Sequence, residues 1–337
     1  MLEEFDDTAA SSDAPRRRRR RGMGRGRRVL VSLLAVVLLV CIGAGGYGWF
    51  VSSKVDRGLT HENLLGDSKD NTTTSKGTKL VDDAGDNYLV IGSDARPGET
   101  NSRADVIQLV HVDKDHENVW IIHFPRDLFV PIPGHGEDKI NAAYAYGKSP
   151  LLVQTIQDLV GVKIDHVAKT DFEGFKQLTD ALGGVTVNNT QPGPDYPAGP
   201  VQLDGAQALD YVRERKQLAE GDISRGQRQQ AWLKAIMRET LDPSVLLNPG
   251  RLNGVIEAGT EHTVVDDGLT GNVIRSEAIR LRSVRGGDIH FITAPFSGYG
   301  TTAEGESIDI LDEKGMAALS DALRTDDLAS YDDSTTS

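Results

Sequence analysis

The stretch Asp204–Met237 reads DGAQALDYVRERKQLAEGDISRGQRQQAWLKAIM and predicts two helices joined by a short loop. The first helix begins at Gly205 and ends near Arg213, because a side-chain oxygen of Asp204 can cap its exposed backbone N–H groups. Asp222 occupies the same position before a second helix. One face of that helix has residues three or four positions apart, cationic first and apolar later: Arg225, Arg228, Gln229, Trp232 and Ile236.

Arginines at the start of a helix are unfavourable, because the helix N-terminus already carries a partial positive charge; each costs roughly a few tenths of a kcal/mol. A bound anion would offset this cost. Arg225 and Arg228, with Arg213 and Arg215 nearby in the sequence, therefore predict a pocket in which guanidinium groups and backbone donors hold phosphate. The alternative is that these arginines lie on the surface, paired with neighbouring acids: Glu214, Glu220 and Asp222.

The N-terminal part of the chain has the pattern of a membrane anchor. Nine arginines lie within residues 16–28, and residues 29–51 then run for about 23 positions without a charged side chain. Such a run is long enough to cross a bilayer as a helix, and flanking arginines keep their own side in the cytoplasm. The run is longer than the apolar region of a signal peptide. We therefore expect a single-pass protein of the cell membrane, with its N-terminus in the cytoplasm and the rest of the chain extracytoplasmic.

The remainder of the chain predicts a single α/β domain. Three apolar strands follow one another closely from Asn87, which favours antiparallel pairing, and helices alternate with strands further on. This order predicts a mixed sheet with helices on both faces. We assign 1–28 to a disordered cytoplasmic tail, 29–51 to a transmembrane helix, 52–82 to an extracytoplasmic linker, 83–324 to the catalytic domain and 325–337 to a disordered acidic tail.

Several classes of function are excluded by what the sequence lacks. The formal net charge is −13, and the basic run is confined to the tail, where membrane topology explains it and no recognition motif for nucleic acid accompanies it. The only cysteine, Cys41, lies in the predicted span, so the outer domain has no thiol nucleophile. Motifs of serine hydrolases, zinc peptidases and Walker-type nucleotide sites are missing.

Carboxylates and cations follow the predicted strands. Asp94 comes directly after the first strand, while Arg103 and Asp105 lie two apart at the start of the second and so point to one side. Carboxylates from adjacent strand ends suit Mg²⁺, with Mn²⁺ as an alternative, although Asp94 also fits an ordinary turn. Arg126 follows the third strand and Lys139 adds a further cation; a surface ion pair and a solvated lysine are their ordinary alternatives.

The chain carries a series of motifs: Ser93-Asp-Ala-Arg, Arg103-Ala-Asp, Pro125-Arg-Asp, Lys139-Ile-Asn-Ala-Ala-Tyr, Asp171-Phe-Glu-Gly-Phe, Leu182-Gly-Gly-Val, Ala208-Leu-Asp-Tyr-Val-Arg-Glu-Arg and Gly221-Asp-Ile-Ser-Arg-Gly-Gln-Arg-Gln. In this order the motifs closely resemble those of the LytR-CpsA-Psr family, over about Asp86 to Leu323. The resemblance implies an α/β/α sandwich around a mixed central sheet, with an apolar pocket for a polyprenyl chain. It also implies a Gram-positive-type, actinobacterial cell envelope.

The family resemblance implies a phosphotransferase. Such an enzyme moves an anionic glycopolymer, for example teichoic acid or arabinogalactan, from a polyprenyl-pyrophosphate carrier to a peptidoglycan hydroxyl and releases polyprenyl phosphate. Two other functions stay open. The first is a polyprenyl-pyrophosphate hydrolase, in which water replaces the glycan, and the second is a membrane protein with a regulatory or signalling role.

The same resemblance assigns roles to individual residues. Asp94 and Asp105 would hold Mg²⁺. The residues that would surround the pyrophosphate are Arg103, Arg126, Lys139, Arg213, Arg215, Arg225 and Gln229, of which the catalytic ones would be Arg103, Arg126, Arg213 and Arg215. Arg228 is a further candidate for the same group.

Overall fold

The computed structural model describes Gly48 and residues 50–66, 72–93, 103–219, 221–240, 242–246 and 248–331. From Phe50 onward the described residues form one compact unit. The predicted cytoplasmic tail, and the predicted membrane span apart from Gly48, Phe50 and Val51, lie outside the described residues. Within the ranges given above, no helix combines the length and the apolar character needed to span a membrane.

Strands and helices alternate through much of the described chain, which gives a mixed α/β fold. The strands are β1 (Thr60–Glu62), β2 (Asp86–Ser93), β3 (Ala104–Val112), β4 (Val119–His123), β5 (Leu128–Ile132), β6 (Gly136–Lys139), β7 (His166–Thr170), β8 (Val185–Asn189), β9 (Gly199–Leu203), β10 (Thr263–Asp266), β11 (Ile289–Thr293), β12 (Phe296–Thr301) and β13 (Ser307–Leu311). The helices are α1 (residues 50–58), α2 (Ile140–Val160), α3 (Phe172–Ala181), α4 (Gly205–Arg213), α5 (Asp222–Thr240), α6 (Pro243–Leu246), α7 (Pro249–Glu261), α8 (Gly271–Arg280) and α9 (Glu313–Thr325).

The central sheet has seven strands in the spatial order β1-β10-β7-β2-β3-β4-β11. β3 is antiparallel to both β2 and β4, as the close spacing of these strands predicts. β2 is parallel to β7, and β4 is parallel to β11, so the sheet is mixed, as predicted. Because one antiparallel strand separates β2 from β4, strands β2, β4 and β7 all end at the same edge of the sheet, here called the carboxyl edge.

Helices cover both faces of the central sheet, as predicted. On one face, Leu152 of α2 and Leu319 of α9 are fully buried in a cluster with Ile107 of β3. On the other face, Leu233 of α5 packs against a second cluster that includes Val112 of β3. Residues of β3 alternate between the two faces, since successive side chains in a strand point to opposite sides. Complete burial of each large aliphatic side chain contributes about 1.5–3 kcal/mol to folding.

The two helices of the opening stretch, α4 and α5, pack with α3 and the antiparallel hairpin β8–β9 in a third apolar cluster. Trp232 of α5 stacks on Phe175 of α3, with ring centroids 3.8 Å apart. The Trp232 indole N–H also donates to the hydroxyl of Thr179 at 3.1 Å, which satisfies its polar atom. The apolar part of the predicted α5 face is therefore the part that attaches the helix to its neighbours.

A second, smaller sheet has the order β12-β13-β5-β6. Leu128, Val130 and Ile132 of β5 are buried in the main core. β5 and β6 form an antiparallel hairpin whose turn has Gly134 and Gly136 at φ of +77° and +76°, a conformation that glycine adopts readily. This hairpin projects the loop residues between β5 and β6 away from the core.

Part of the predicted linker, residues 52–82, belongs to the folded unit. Val55 and Leu64 are buried, β1 pairs with β10, and the Lys54 ammonium forms an ion pair with Glu257 at 3.2 Å. The folded unit therefore begins before the predicted boundary at residue 83. The polar composition of this segment conceals the few apolar residues that attach it. At the other end, Leu328 is only 2% exposed, so the fold also extends past the predicted boundary at 324.

Candidate active site

The cations of the opening stretch meet in a cleft at the carboxyl edge of the central sheet. Its volume is about 780 Å³, and its lining residues are Asp195, Tyr196, Asp210, Arg213, Glu214, Arg215, Lys216 and Arg225. We call this cavity the α4–α5 cleft. It contains four cations and three acids, and it is open to solvent. The two helices thus bring together three of the four arginines that the sequence singles out for phosphate.

Helix α4 is capped at its start and places Arg213, its last residue, at the cleft. Asp204 accepts a hydrogen bond from the Gln207 backbone N–H at 2.8 Å, as its predicted role as a cap requires. The Gln207 side chain also accepts one from the Asp204 N–H, which completes a capping box. Arg213 in the last turn stacks on the ring of Phe172, with its guanidinium carbon 3.8 Å from the ring centroid. Phe172 is the first residue of α3, directly beyond β7. This stack fixes the direction of an otherwise exposed arginine.

Helix α5 begins close against the end of β4. A Cβ atom on Gly226 would lie 2.7 Å from Nε2 of His123, so a larger residue there would displace this buried ring. Arg225, next to this glycine, is 8% exposed and lines the α4–α5 cleft. Nε2 of Gln229 donates to the Val212 backbone oxygen at 3.4 Å and joins α5 to α4. The loop between the helices therefore folds the start of α5 back beside the end of α4, which the convergence of the predicted residues requires.

Arg228 does not belong to the cleft. Its Nε and Nη2 atoms donate to the Gln191 backbone oxygen at 3.0 and 2.8 Å, and Nη1 donates to the Tyr211 oxygen at 3.3 Å. The guanidinium also lies over the Tyr211 ring, 4.6 Å from its centroid. The side chain is 1% exposed, and this burial lowers its pKa. Arg228 therefore holds the loop after β8 against α4, and its role is structural.

A second group of predicted residues forms an ion-pair network beside the end of β4. We call it the sheet-edge cluster; its members are Asp105, Arg126, Asp127, Lys139 and Glu306. Nη1 of Arg126 donates to Oδ1 of Asp105 at 2.7 Å, and Nε of Arg126 lies 3.7 Å from Asp127. Nζ of Lys139 lies 3.7 Å from Asp127 and 2.9 Å from Glu306. Each cation of this cluster thus contacts two carboxylates.

The structure corrects the predicted placement of Arg103. β3 begins only at Ala104, and the pairing of β3 with β2 shifts register opposite Gly92 and Ser93. The regular alternation assumed for Arg103 and Asp105 is therefore missing, because a register shift of this kind re-aims a side chain. Arg103 is exposed, and its charge lies near enough to the Tyr146 hydroxyl to oppose the rise in pKa of that group, which a hydrogen bond to Asp138 causes.

Of the two predicted metal ligands, Asp105 belongs to the described residues. Oδ1 of Asp105 accepts the hydrogen bond from Arg126, and Oδ2 accepts none from the described residues. A carboxylate oxygen of this kind suits Mg²⁺, which uses one or two carboxylates and several waters in many sites. Asp94 lies outside the described residues. In the described part of the chain, no group of three or more His, Cys, Asp or Glu residues could hold a metal ion.

His123 lies between the two groups and was not singled out by the sequence. It is the last residue of β4, three positions before Arg126, and it faces the start of α5. Burial, and secondarily the charge of Arg225, lower its pKa to about 4, so the ring is neutral near pH 7. Its Nδ1 and the Oε1 of Gln108, its partner across the strand pair, are buried with no hydrogen-bond partner among the described residues. Its position at the end of an otherwise apolar strand was the sequence feature that could have identified it as a candidate site residue.

Comparison with known proteins gives matches over most of the chain. Residues 50–325 match the LytR_cpsA_psr family model. The cell wall biosynthesis protein LcpA of Corynebacterium glutamicum is 30% identical over 349 aligned residues, which cover 87% of this chain and 65% of LcpA. The chain thus spans slightly less than two thirds of that relative.

Two further matches are a curated relative and a solved structure. The polyisoprenyl-teichoic acid–peptidoglycan teichoic acid transferase TagU of Bacillus anthracis is 30% identical over 248 residues, covering 72% of this chain and 80% of TagU. The solved structure of TagT bound to LI-WTA superimposes with a TM-score of 0.61 at 26% identity, covering 79% of this chain and 99% of the TagT chain.

Proposed function

The chain belongs to the LytR-CpsA-Psr family, and on this premise we propose that it is a cell-wall glycopolymer transferase. The proposed reaction moves an anionic glycopolymer from a polyprenyl-pyrophosphate carrier to a hydroxyl of peptidoglycan, and polyprenyl phosphate is released. The observation that carries the proposal is the convergence of Arg213, Arg215 and Arg225 in one open cleft at the carboxyl edge of the sheet. The name of TagU, which describes teichoic acid transfer to peptidoglycan, supports the same class of reaction.

In this proposal the α4–α5 cleft binds the pyrophosphate. Guanidinium groups hold two phosphate oxygens at once, so arginines fix both the position and the orientation of the reacting group. Arg213 is already oriented by its stack on Phe172, and Arg225 by its burial at the start of α5. Cations that are in place before the reaction stabilise the negative charge that builds up on the phosphoryl oxygens.

The chemical step is a displacement at phosphorus. The peptidoglycan hydroxyl loses its proton to solvent, and its oxygen attacks the phosphorus next to the glycopolymer. A new P–O bond forms while the bond to the bridging oxygen breaks, and polyprenyl phosphate leaves with that oxygen and its electron pair. The cleft arginines stabilise the charge on both the transferred and the leaving groups.

Asp105, together with Asp94, is proposed to hold Mg²⁺, or Mn²⁺ in its place. A divalent ion bound there would neutralise negative charge on the phosphoryl oxygens. Arg126 binds one oxygen of Asp105 and leaves the other available, so this arginine orients the carboxylate. Arg126 and Lys139 both lie within 4 Å of Asp127, so two cations surround this carboxylate.

We further propose that residues 29–51 anchor the protein in the cell membrane and that the catalytic domain is extracytoplasmic. The basis is the arginine-rich run before an uncharged segment in the sequence. This arrangement places the domain on the side of the membrane where peptidoglycan lies.

The test is a reconstituted transfer reaction. Full-length protein in detergent is incubated with a defined polyprenyl-pyrophosphoryl oligosaccharide and peptidoglycan, and mass spectrometry identifies the products. The proposal expects the oligosaccharide to be attached to peptidoglycan through a phosphodiester, with loss of product when EDTA removes divalent ions. Release of the free phosphorylated oligosaccharide without attachment would instead show a hydrolase, and recovery of intact donor would contradict both enzymatic functions.

A further inference from the structure

Two acids and an aromatic ring line the α4–α5 cleft beside its cations, and binding of pyrophosphate does not account for them. Asp195 and Tyr196 come from the loop between β8 and β9, and Asp210 comes from α4. The carboxylates of Asp195 and Asp210 are exposed and accept no hydrogen bond from the described residues. We call Asp195, Tyr196 and Asp210 the acidic wall. Because carboxylates repel phosphate, we expect this wall to contact a different part of the ligand.

The third acid of the cleft, Glu214, is used by the protein itself. Its Oε1 accepts hydrogen bonds from the backbone N–H groups of Gln217 and Arg215, at 3.1 and 2.8 Å. These backbone donors, that of Gln217 foremost, lower the pKa of the Glu214 carboxyl. Glu214 therefore orders the turn that carries Arg215 into the cleft, whereas the two acids of the acidic wall have no such structural role.

The fold holds the acidic wall in place. The Tyr196 backbone oxygen accepts hydrogen bonds from the Gly193 N–H at 3.0 Å and from Nδ2 of Asn189 at 3.1 Å. The Tyr196 hydroxyl donates to the Gln207 oxygen of α4 at 3.0 Å, and the ring meets Tyr211 edge to face with centroids 5.2 Å apart. Both the backbone and the ring of Tyr196 are thus fixed before any ligand enters the cleft.

The acidic wall lies about one helical turn from the cations of the cleft. Asp210 precedes Arg213 by three positions on α4, and the Cβ atoms of residues at this spacing are about 5–6 Å apart. The charges around the Tyr196 ring are mostly negative. Burial is the main cause that raises the pKa of its hydroxyl, and three carboxylates raise it further: Asp210, Asp195 and Asp204. The one opposing cation, Arg228, is 1% exposed and so cannot contact a ligand in the cleft.

The covalent structure of the proposed donor determines what lies next to the pyrophosphate. One phosphate is bonded to a sugar and the other to the polyprenyl chain. None of the described residues that line the cleft has an aliphatic side chain, so the polyprenyl chain has no apolar surface there and must leave the cleft. Pyrophosphate has nine non-hydrogen atoms, and at roughly 30 Å³ for each it fills about a third of the cavity of about 780 Å³. The remaining space is large enough for a sugar.

We propose that the acidic wall binds the first sugar of the donor, the one bonded to the pyrophosphate, and that this sugar is uncharged. The inference rests on the proposed transferase function, because it extends the same cleft to the next group of the donor. C–H groups of the sugar pack on the Tyr196 ring, and its hydroxyl groups donate to the carboxylates of Asp195 and Asp210. A sugar with a carboxylate of its own is repelled by both acids. The anionic groups of the glycopolymer therefore lie beyond the first sugar.

The first test compares the binding of three lipids to the full-length protein in detergent, by calorimetry and without peptidoglycan. The lipids are polyprenyl pyrophosphate, the same lipid with one neutral hexose, and the same lipid with one hexuronic acid. The protein should bind the neutral hexose lipid at least about tenfold more tightly than polyprenyl pyrophosphate, since hydrogen bonds to carboxylates are strong. The hexuronic acid should give no such gain. Equal affinity for the first two lipids, or tighter binding of the hexuronic acid lipid, would overturn the proposal.

The second test assigns the gain in affinity to the acidic wall. Asp195→Asn and Asp210→Asn keep the size of the side chain and remove its charge, while Tyr196→Ala removes the ring. Each should reduce the gain from the hexose at least threefold. None should weaken the binding of polyprenyl pyrophosphate, because the loss of an acid or a ring removes no phosphate ligand. Tyr196→Phe keeps the ring and should retain the gain.

Asp321→Asn is the matched control, since Asp321 is an exposed acid of α9 whose loss changes the net charge equally, and it should behave as wild type. An unchanged hexose gain in both asparagine variants, or an equal loss for all three lipids, would overturn the acidic wall. A hexose gain that depends on Asp210 in a protein that forms no attached product would uphold the wall and contradict only the transferase function. Attached product without any hexose gain would do the reverse.

Discussion

The α4–α5 cleft and the sheet-edge cluster both contain cations that the sequence predicts for phosphate, but they present these cations differently. In the cleft, Arg213 and Arg215 are exposed and border an open cavity. In the cluster, Arg126 and Lys139 each contact two carboxylates within 4 Å, and their side chains are only 24% and 12% exposed. An anion can reach the exposed guanidinium groups of the cleft directly from solvent. An anion at the cluster must compete with acids already in place.

This difference indicates that the cleft cations and the cluster cations have different roles. In the proposed reaction, the cleft arginines would supply affinity for the pyrophosphate and stabilise its charge in the transition state. Cluster cations hold carboxylates in position, above all Asp105, whose second oxygen they leave available. The comparison can be tested because substitutions in the two regions should then affect different quantities: transfer rate in the cleft, and metal dependence and stability in the cluster.

The largest effect is expected from Arg215→Ala. This removes one guanidinium from the cleft and should lower kcat/KM for transfer about a hundredfold or more, since the loss of one preorganised donor costs roughly 3 kcal/mol. Arg215→Lys should still cost at least tenfold, because lysine cannot bind two oxygens at once. Donor kinetics measure both, and the melting temperature should not change, because Arg215 is exposed.

Arg238→Ala is the control for this substitution, since Arg238 is an exposed arginine in the last turn of α5 that bonds to Glu239. It should transfer at the wild-type rate. Normal transfer in both Arg215 variants, with a loss in Arg126→Lys, would reverse the comparison and place the pyrophosphate at the sheet-edge cluster.

A pH effect of similar size is expected from His123, which lies between the two regions. Its pKa in the folded protein is about 4, below the ordinary 6.5, so the unfolded chain takes up the proton first as the pH falls. The contribution of neutral His123 to the free energy of unfolding should be fully present above pH 6.5. It should be lost between pH 6.5 and 4, which lowers the free energy of unfolding by about 3 kcal/mol in total. His123→Leu should remove this part of the slope, measured by urea unfolding at a series of pH values.

Two comparisons isolate the His123 contribution. The pKa of His111 is also lowered by burial, but His111 is present in both proteins and cancels in the difference. Arg225→Met should reduce the slope in part, because it removes the neighbouring positive charge but not the burial. An identical slope in wild type and His123→Leu would show that the start of α5 does not bury this ring in solution.

The smallest effect is expected from Glu306→Gln in the sheet-edge cluster. It breaks the 2.9 Å pair with Lys139, but Glu306 is 53% exposed. Exposed ion pairs contribute about 0.5 kcal/mol or less to stability. The free energy of unfolding, measured with urea, should therefore fall by no more than that amount, and the transfer rate should stay within twofold of wild type. A loss of 2 kcal/mol or more would show that the cluster acts as one coupled, water-excluding network, and that the contrast with the open cleft is smaller than the exposures indicate.

Local sequence signals predicted the helices and the first three strands well. The cap at Asp204, the strand run at Tyr88 and the spacing of apolar residues in α5 act within a few positions, so they are visible without the fold. The polar linker was less predictable, since α1 and β1 are held by partners about 200 residues away, among them Glu257 and β10. His123 was missed for the same reason: its neighbour Arg225 comes from a distant helix.

The sequence by itself determined the two helices of the opening stretch, the cations they carry and the family to which the chain belongs. Only the tertiary structure decided what each cation does. Arg225 and Arg228 are three positions apart on one helical face, yet Arg225 lines the cleft and Arg228 binds two backbone oxygens in the interior. The reason is packing: the loop after β8 and Tyr211 of α4 enclose one guanidinium and leave the other at the cavity. Helical spacing specifies a face, and the neighbours that pack on that face specify the role.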